Sequence, residues 1–177
     1  MSNRGTSVIG KLLGLVYGAA GALAALFLVG IGVSIVIQVV CRYSGVTFDA
    51  TELAGFCLAA STFLGLAYTF RAGGHVRITL AIDRFAPGPR RFIEAFCCLV
   101  ALIGVGFLGW HVLQLTLQSY AYHDVSPGLL AIPFWIPQSG MALGVLLFAL
   151  ALLEEFIRIL GGATPRYVED DPTVHPE

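Results

Sequence analysis

Four stretches of this chain carry long, unbroken apolar runs, at about residues 12–40, 50–70, 92–120 and 132–160. Each is nearly free of charge in its middle. Their apolar positions are continuous, neither alternating nor confined to one helical face. A hydrocarbon core of about 30 Å requires about 20 apolar residues in helix. Lipid offers no partner to backbone N–H and C=O groups, so such runs must close their hydrogen bonds internally, as helices. Continuous rather than alternating apolar positions argue against a β-barrel. The pattern predicts an all-α membrane protein of four transmembrane helices, occupying residues 1–161. The acidic stretch 162–177 reads as a disordered cytoplasmic tail. The first run is too long for the apolar core of a signal peptide and ends in no clear cleavage site, so it reads as a retained span.

The polar positions between the runs orient the helices. The chain has ten Lys and Arg residues, and five of them, Arg71, Arg77, Arg84, Arg90 and Arg91, lie between runs two and three. Arg4 and Lys11 precede run one, and Arg158 and Arg166 lie at the other end. The loop between runs three and four, 120–131, has no basic residue. Basic loops stay on the cytoplasmic side, so both termini and the second loop are expected there. Within that loop, Val76, Leu80, Ala81 and Phe85 can share one helical face and Arg77 and Arg84 another. A short amphipathic segment in the headgroup plane is expected between helices 2 and 3, a plain solvated loop being the alternative. Arg42, Arg71, His75, Arg77, Arg84, Arg90, Arg91 and Trp135 are the candidate headgroup and interface contacts. Tyr120, Tyr122, Phe134 and Trp135 suit an interfacial aromatic belt. Pro133 suits a first helical turn, and Pro137 a kink.

Composition agrees. The chain is 57% hydrophobic and 12% charged, where soluble domains carry about 25% charged residues. A net charge of −1, with no basic patch interleaved with aromatics, gives no reason to expect nucleic acid. Cys41, Cys57, Cys97 and Cys98 contain no CxxC and read as small buried hydrophobes.

Small residues mark where helices can approach. Gly14 and Gly18 form a GxxxG, Gly140 and Gly144 a second, and Ser61 and Gly65 a small-xxx-small pair. Asp49 and Glu52 have the spacing of a capping box at the start of helix 2. Glu52 reads as an anion at a helix start or as a coupling carboxylate for ion transport; its terminal position favours the first. His111, Gln114 and Gln118 lie on one face of helix 3. Interhelical hydrogen bonding, a substrate path and a haem ligand are the readings of that stripe, and bonding between helices is preferred. These residues, with the small ones above, are the candidate packing and partner-subunit contacts.

A b-type cytochrome needs paired axial ligands, and only His111 is deep in a span. A membrane thiol oxidase needs paired cysteines at the outer face, where only Cys41 lies. No enzyme and no cofactor in this chain are therefore expected. A self-sufficient, proton-coupled homodimeric transporter using the GxxxG faces and Glu52 is the main alternative to an accessory subunit.

The stretch from "VVCRYSG" through "TELAGFCLAASTFLGLAYTFRAGGHVRITLAIDRF" resembles the small permease subunit, of DctQ type, of tripartite ATP-independent periplasmic (TRAP) transporters. Arg42 and Tyr43 after span one, Glu52 and Leu53 at the start of span two, Leu64 and Gly65, then Arg71, Gly73 or Gly74, and His75 stand in the family's pattern. "IPFW" before span four is also similar. Asp49 stands where that pattern has Trp, Thr51 where it has a first Glu, and Thr79 where an acid is frequent. The resemblance implies four spans in a bacterial inner membrane. It implies a sodium-driven secondary transporter in which a periplasmic protein delivers an organic acid. A large polytopic permease subunit would carry the substrate and sodium sites. The small subunit would be a scaffold without a substrate site, in agreement with the lack of a central charged residue and of broken helix pairs here.

Overall fold

In the computed structural model, residues 8–72, 87–128 and 130–162 are described, with side chains over 10–72, 92–128 and 130–162. Four helices fill them: α1 Val8–Tyr43, α2 Thr51–Arg71, α3 Pro87–Tyr122 and α4 Trp135–Leu160. Gly10–Tyr43, Thr51–Arg71 and Phe92–Tyr122 are long and apolar enough to cross a membrane. Helix α4 lies along two of these, between α2 and α3, and so crosses the same thickness. The expected amphipathic segment, with His75, Arg77 and Arg84, and the tail 163–177 lie outside the described residues, as do the side chains of Arg90 and Arg91.

The helices pack as a row, α1 on α2, α2 on α4 and α4 on α3. Order in space therefore differs from order in the chain. Along α1 and α2 the contacts run in opposite directions: Arg71 reaches Gly10, Gly65 faces Ala24, and Gly30 faces Cys57. Along α2 and α4 they run the same way, from Phe56 with Phe134, through Ala60 with Gly140, to Phe70 with Phe148. Between α3 and α4 they reverse again, from Cys98 with Leu152 to Tyr120 with Trp135. These directions are those of four successive crossings of a bilayer.

The core is thin because a row buries only the seams between neighbours. Tyr17, Ala67 and Ala151 join α1, α2 and α4 near one end, with Leu13, Phe70, Leu147 and Phe148 around them. Ala24, Ala60 and Leu64 continue the contact further along. On α1 the covered positions recur at alternating spacings of three and four, through Leu13, Tyr17, Ala20, Ala24, Phe27, Ile31 and Ser34. That is the 3.5-residue period of helices packing at a shallow angle.

The helix ends are closed by backbone. Gly45 takes φ +75° after α1, and the Val46 N–H reaches the Cys41 carbonyl, a Schellman closure. His123 does the same after α3 at φ 56°, with the Asp124 N–H on the Ser119 carbonyl. Glycine is favoured at φ near +75° because a Cβ there meets the following carbonyl.

Two expectations at helix starts are corrected. Helix α2 has Ala50 at its N-cap with no side-chain cap, so Asp49 and Glu52 do not form a capping box. Asp49 instead accepts from the Thr51 N–H at 2.9 Å, a local turn that competes with capping. Pro133 lies outside α4, in an antiparallel bridge with Val125. Pro137, not Pro133, occupies the first turn of α4, where its missing N–H costs no helical bond and no kink is needed.

Candidate functional site

At the end where α2 and α4 begin, the segment between α3 and α4 folds back as a short hairpin. The Ser126 N–H bonds the Ile132 carbonyl at 2.9 Å and the Phe134 N–H the Asp124 carbonyl at 3.0 Å. This hairpin covers the start of α2. Ala50 is wholly buried, Phe134 meets Phe56 edge-on with centroids 6.3 Å apart, and the Glu52 carboxylate lies against Gly128. The Glu52 Oε2 is sealed from solvent and has no hydrogen-bond partner among the described residues. The sequence placed Glu52 at a helix start but gave no sign of the hairpin above it. Gly128 is the only such sign in hindsight, because any side chain there would fall on Glu52. Asp49, just outside, is fully exposed. Hydrogen bonds from the Thr51 hydroxyl and N–H hold its carboxyl below the ordinary value.

At the opposite end, the Arg71 guanidinium donates to the Gly10 carbonyl at 3.4 Å and lies 5.0 Å from the centroid of the buried Tyr17 ring. Arg71 is thus a helix-to-helix contact, not simply a headgroup contact. A cation over an aromatic face is attracted by the ring quadrupole, more so away from water.

Among the described glycines, Gly144 is the one whose added Cβ would strike the backbone of another helix, in the seam between α2 and α4. A methyl at Gly144 would lie 2.7 Å from the Leu64 nitrogen and closer still to the Phe63 carbonyl. One turn earlier, Gly140 faces Ala60 at 3.6 Å. The second GxxxG therefore works within the chain. The first behaves differently: a methyl at Gly14 meets only Arg71, at 3.6 Å, and one at Gly18 meets nothing within 4 Å. A methyl at Gly65 would lie 3.7 Å from the Ala24 side chain of α1, and Ser61 is half-buried.

The polar stripe of α3 points away from the rest of the chain. His111 and Gln118 are exposed and Gln114 is half-buried. Phe107 stacks edge-on against His111 with centroids 4.3 Å apart. Trp135 and Tyr120 meet at 5.7 Å in the belt region, while Arg42 is exposed in the last turn of α1. The cysteines differ from expectation: none is fully buried, and Cys97 is exposed. Apolar surroundings here include lipid, so a small apolar side chain need not be inside the protein.

These features define a multi-pass helical membrane protein with polar groups at its two ends and a polar stripe along α3. The family model for tripartite ATP-independent periplasmic transporters, DctQ component, matches residues 31–162, and the chain belongs to that family. No curated protein and no solved structure matches the chain. The protein is thus the small membrane subunit of a TRAP transporter of the inner membrane. Such systems are tripartite, which implies a large permease and a periplasmic binding protein as its partners.

Proposed function

We propose that this subunit is a scaffold: it packs against the large permease subunit and binds no substrate itself. The observation that carries the reading is the row of helices: His111 and Gln118 of α3 turn outward, and the inward hydroxyls of Ser34 and Thr116 are spent on their own helix backbones rather than around a shared interior. A transport site needs ionisable or polar groups converging on a protein-lined path. In this reading the large subunit holds the substrate and the sodium that drives import. The periplasmic protein delivers an organic acid at the hairpin end. The N- and C-termini and the Arg71–Arg91 segment are cytoplasmic. Lys11 and Arg71 fall at one end of the row and the hairpin without Lys or Arg at the other, in keeping with the charge rule.

Purification of the tagged chain from its native membranes in mild detergent, followed by mass spectrometry, tests this. A stoichiometric, much larger polytopic protein is expected. A lone homodimer that transports by itself would overturn the reading. The sealed, unpartnered Oε2 of Glu52 is the one observation favouring that second possibility, a self-sufficient proton-coupled homodimer.

A further inference from the structure

Helix α3 has two seams, and α4 fills only one. The filled seam passes through Cys98, Leu102, Val105, Gly109, Val112, Thr116 and Ser119, all buried or half-buried. Two residues out of step, hence about 200° around the helix at 100° per residue, a second series has the same spacing: Val100, Gly104, Phe107, His111, Gln114 and Gln118. All but Gln114 are exposed, and a methyl at Gly104 would meet nothing within 4 Å. Any helical face repeats at three and four; what marks this one is that it carries His111, Gln114 and Gln118.

Depth decides what this seam can face. Tyr120, in the belt, lies nine residues beyond His111, or about 13 Å at 1.5 Å per residue. That places His111 close to the middle of a hydrocarbon core about 30 Å thick. Gln114 is about 9 Å below the belt by the same rise. The side chains of His111, Gln114 and Gln118 make no hydrogen bond among the described residues. Hydrocarbon supplies none to His111 or Gln114 either, and polar side chains in spans turn toward protein. The outward face of α1 forms a contrast. Leu15, Leu26, Val29, Val33, Val36 and Val40 are exposed there, and Ser34 is turned inward onto the Ile31 carbonyl at 2.8 Å. That face suits lipid.

We infer that the outward seam of α3 is a docking surface for a membrane-spanning helix of the large permease subunit, one that offers hydrogen-bonding side chains opposite His111 and Gln114. The inference rests on the scaffold reading and specifies its contact. A second copy is the competing occupant: a twofold axis along the bilayer normal would set His111 beside His111, and a neutral imidazole both donates and accepts. The large subunit is preferred because a tripartite transporter already gives this chain a polytopic partner in the same membrane.

The test is photo-crosslinking in the intact transporter in native membranes. Benzoyl-phenylalanine replaces Phe107 or Gln114 on the seam, or Val29 on α1, and adducts are identified by mass spectrometry. Adducts with the large subunit are expected from 107 and 114 and not from 29. An adduct from 29 alone, an adduct joining two copies of this chain, or no adduct while the large subunit co-purifies would each overturn the inference and leave the scaffold reading standing. Failure of the large subunit to co-purify at all would overturn both. A second readout is the double variant H111L/Q114L. Each lost interhelical bond weakens association about threefold. The double variant should therefore release the large subunit about tenfold more readily, with unchanged thermal unfolding of this chain alone. Unchanged association would overturn the inference.

Discussion

Gly128 and Glu52 show how one missing side chain shapes the outer end. The hairpin can close over α2 only because nothing projects from residue 128 toward the carboxylate. Gly128→Ala should therefore displace either the hairpin or Glu52. Overpacking of this kind costs about 1–3 kcal/mol, which a lowered thermal midpoint in detergent would reveal; an unchanged midpoint would show that the hairpin yields freely. Asp49 sits a few residues away and behaves differently. Its carboxyl titrates below the ordinary value because Thr51 donates to it. A depressed carboxylate stabilises above its unfolded value and loses that contribution as pH falls through the folded one. The difference in thermal midpoint between wild type and Asp49→Ala should thus be constant from about pH 5 upward and shrink only below about pH 4. A difference that changes between pH 6 and 8 would assign the effect to another group. Neither the hairpin nor the turn at Asp49 was legible in advance. Asp49 and Glu52 have capping-box spacing, and only the backbone reveals that Ala50 takes the cap instead.

At the scale of helices, the four apolar runs announced the elements, with their ends misplaced by a few residues, as at Pro133 and Pro137. Which helix lies beside which was not legible. In a soluble protein the solvent face is polar and the buried face stands out. In lipid both faces are apolar, so the seam of α1 through Tyr17, Ala24 and Ile31 is hidden among exposed Leu and Val. Small residues gave a better signal, though an uneven one. Gly140 and Gly144 mark a true close approach, whereas Gly18 faces open space. Gly144→Ala should push α4 from α2, since the methyl would meet backbone that cannot rotate aside. A loss of about 1–3 kcal/mol is expected, read as a lower thermal midpoint. Gly18→Ala, by contrast, should not lower the isolated chain's midpoint, and its added helix propensity should raise it slightly. Equal effects of the two would contradict the row of helices described above.

For the whole molecule, the row separates two tasks that a closed bundle would combine. One edge, α3, presents polar groups at mid-membrane; the other, α1, presents only apolar ones. The resemblance read from Arg42, Tyr43, Glu52, Gly65 and Arg71 gave the family, but not which edge does which, because His111, Gln114 and Gln118 look alike whether they point in or out. Under the scaffold reading, Glu52→Gln should alter the stability of the assembled transporter while leaving the pH optimum of transport where it was. A shifted optimum with the assembly intact would instead make Glu52 a proton carrier. The geometry of the row has a mechanical side as well. Three interhelical spacings of 8–10 Å put α1 at most about 25 Å from α3, less where the row bends to bring Tyr17 of α1 onto Ala151 of α4. If α3 is the joint, a 10° tilt there would raise or lower α1 by at most about 4 Å relative to the bilayer. Hydrophobic mismatch resists such movement by fractions of a kcal/mol per ångström. Under the scaffold reading, the lipid around α1 would act as a spring at the end of a lever, opposing any tilt of the partner.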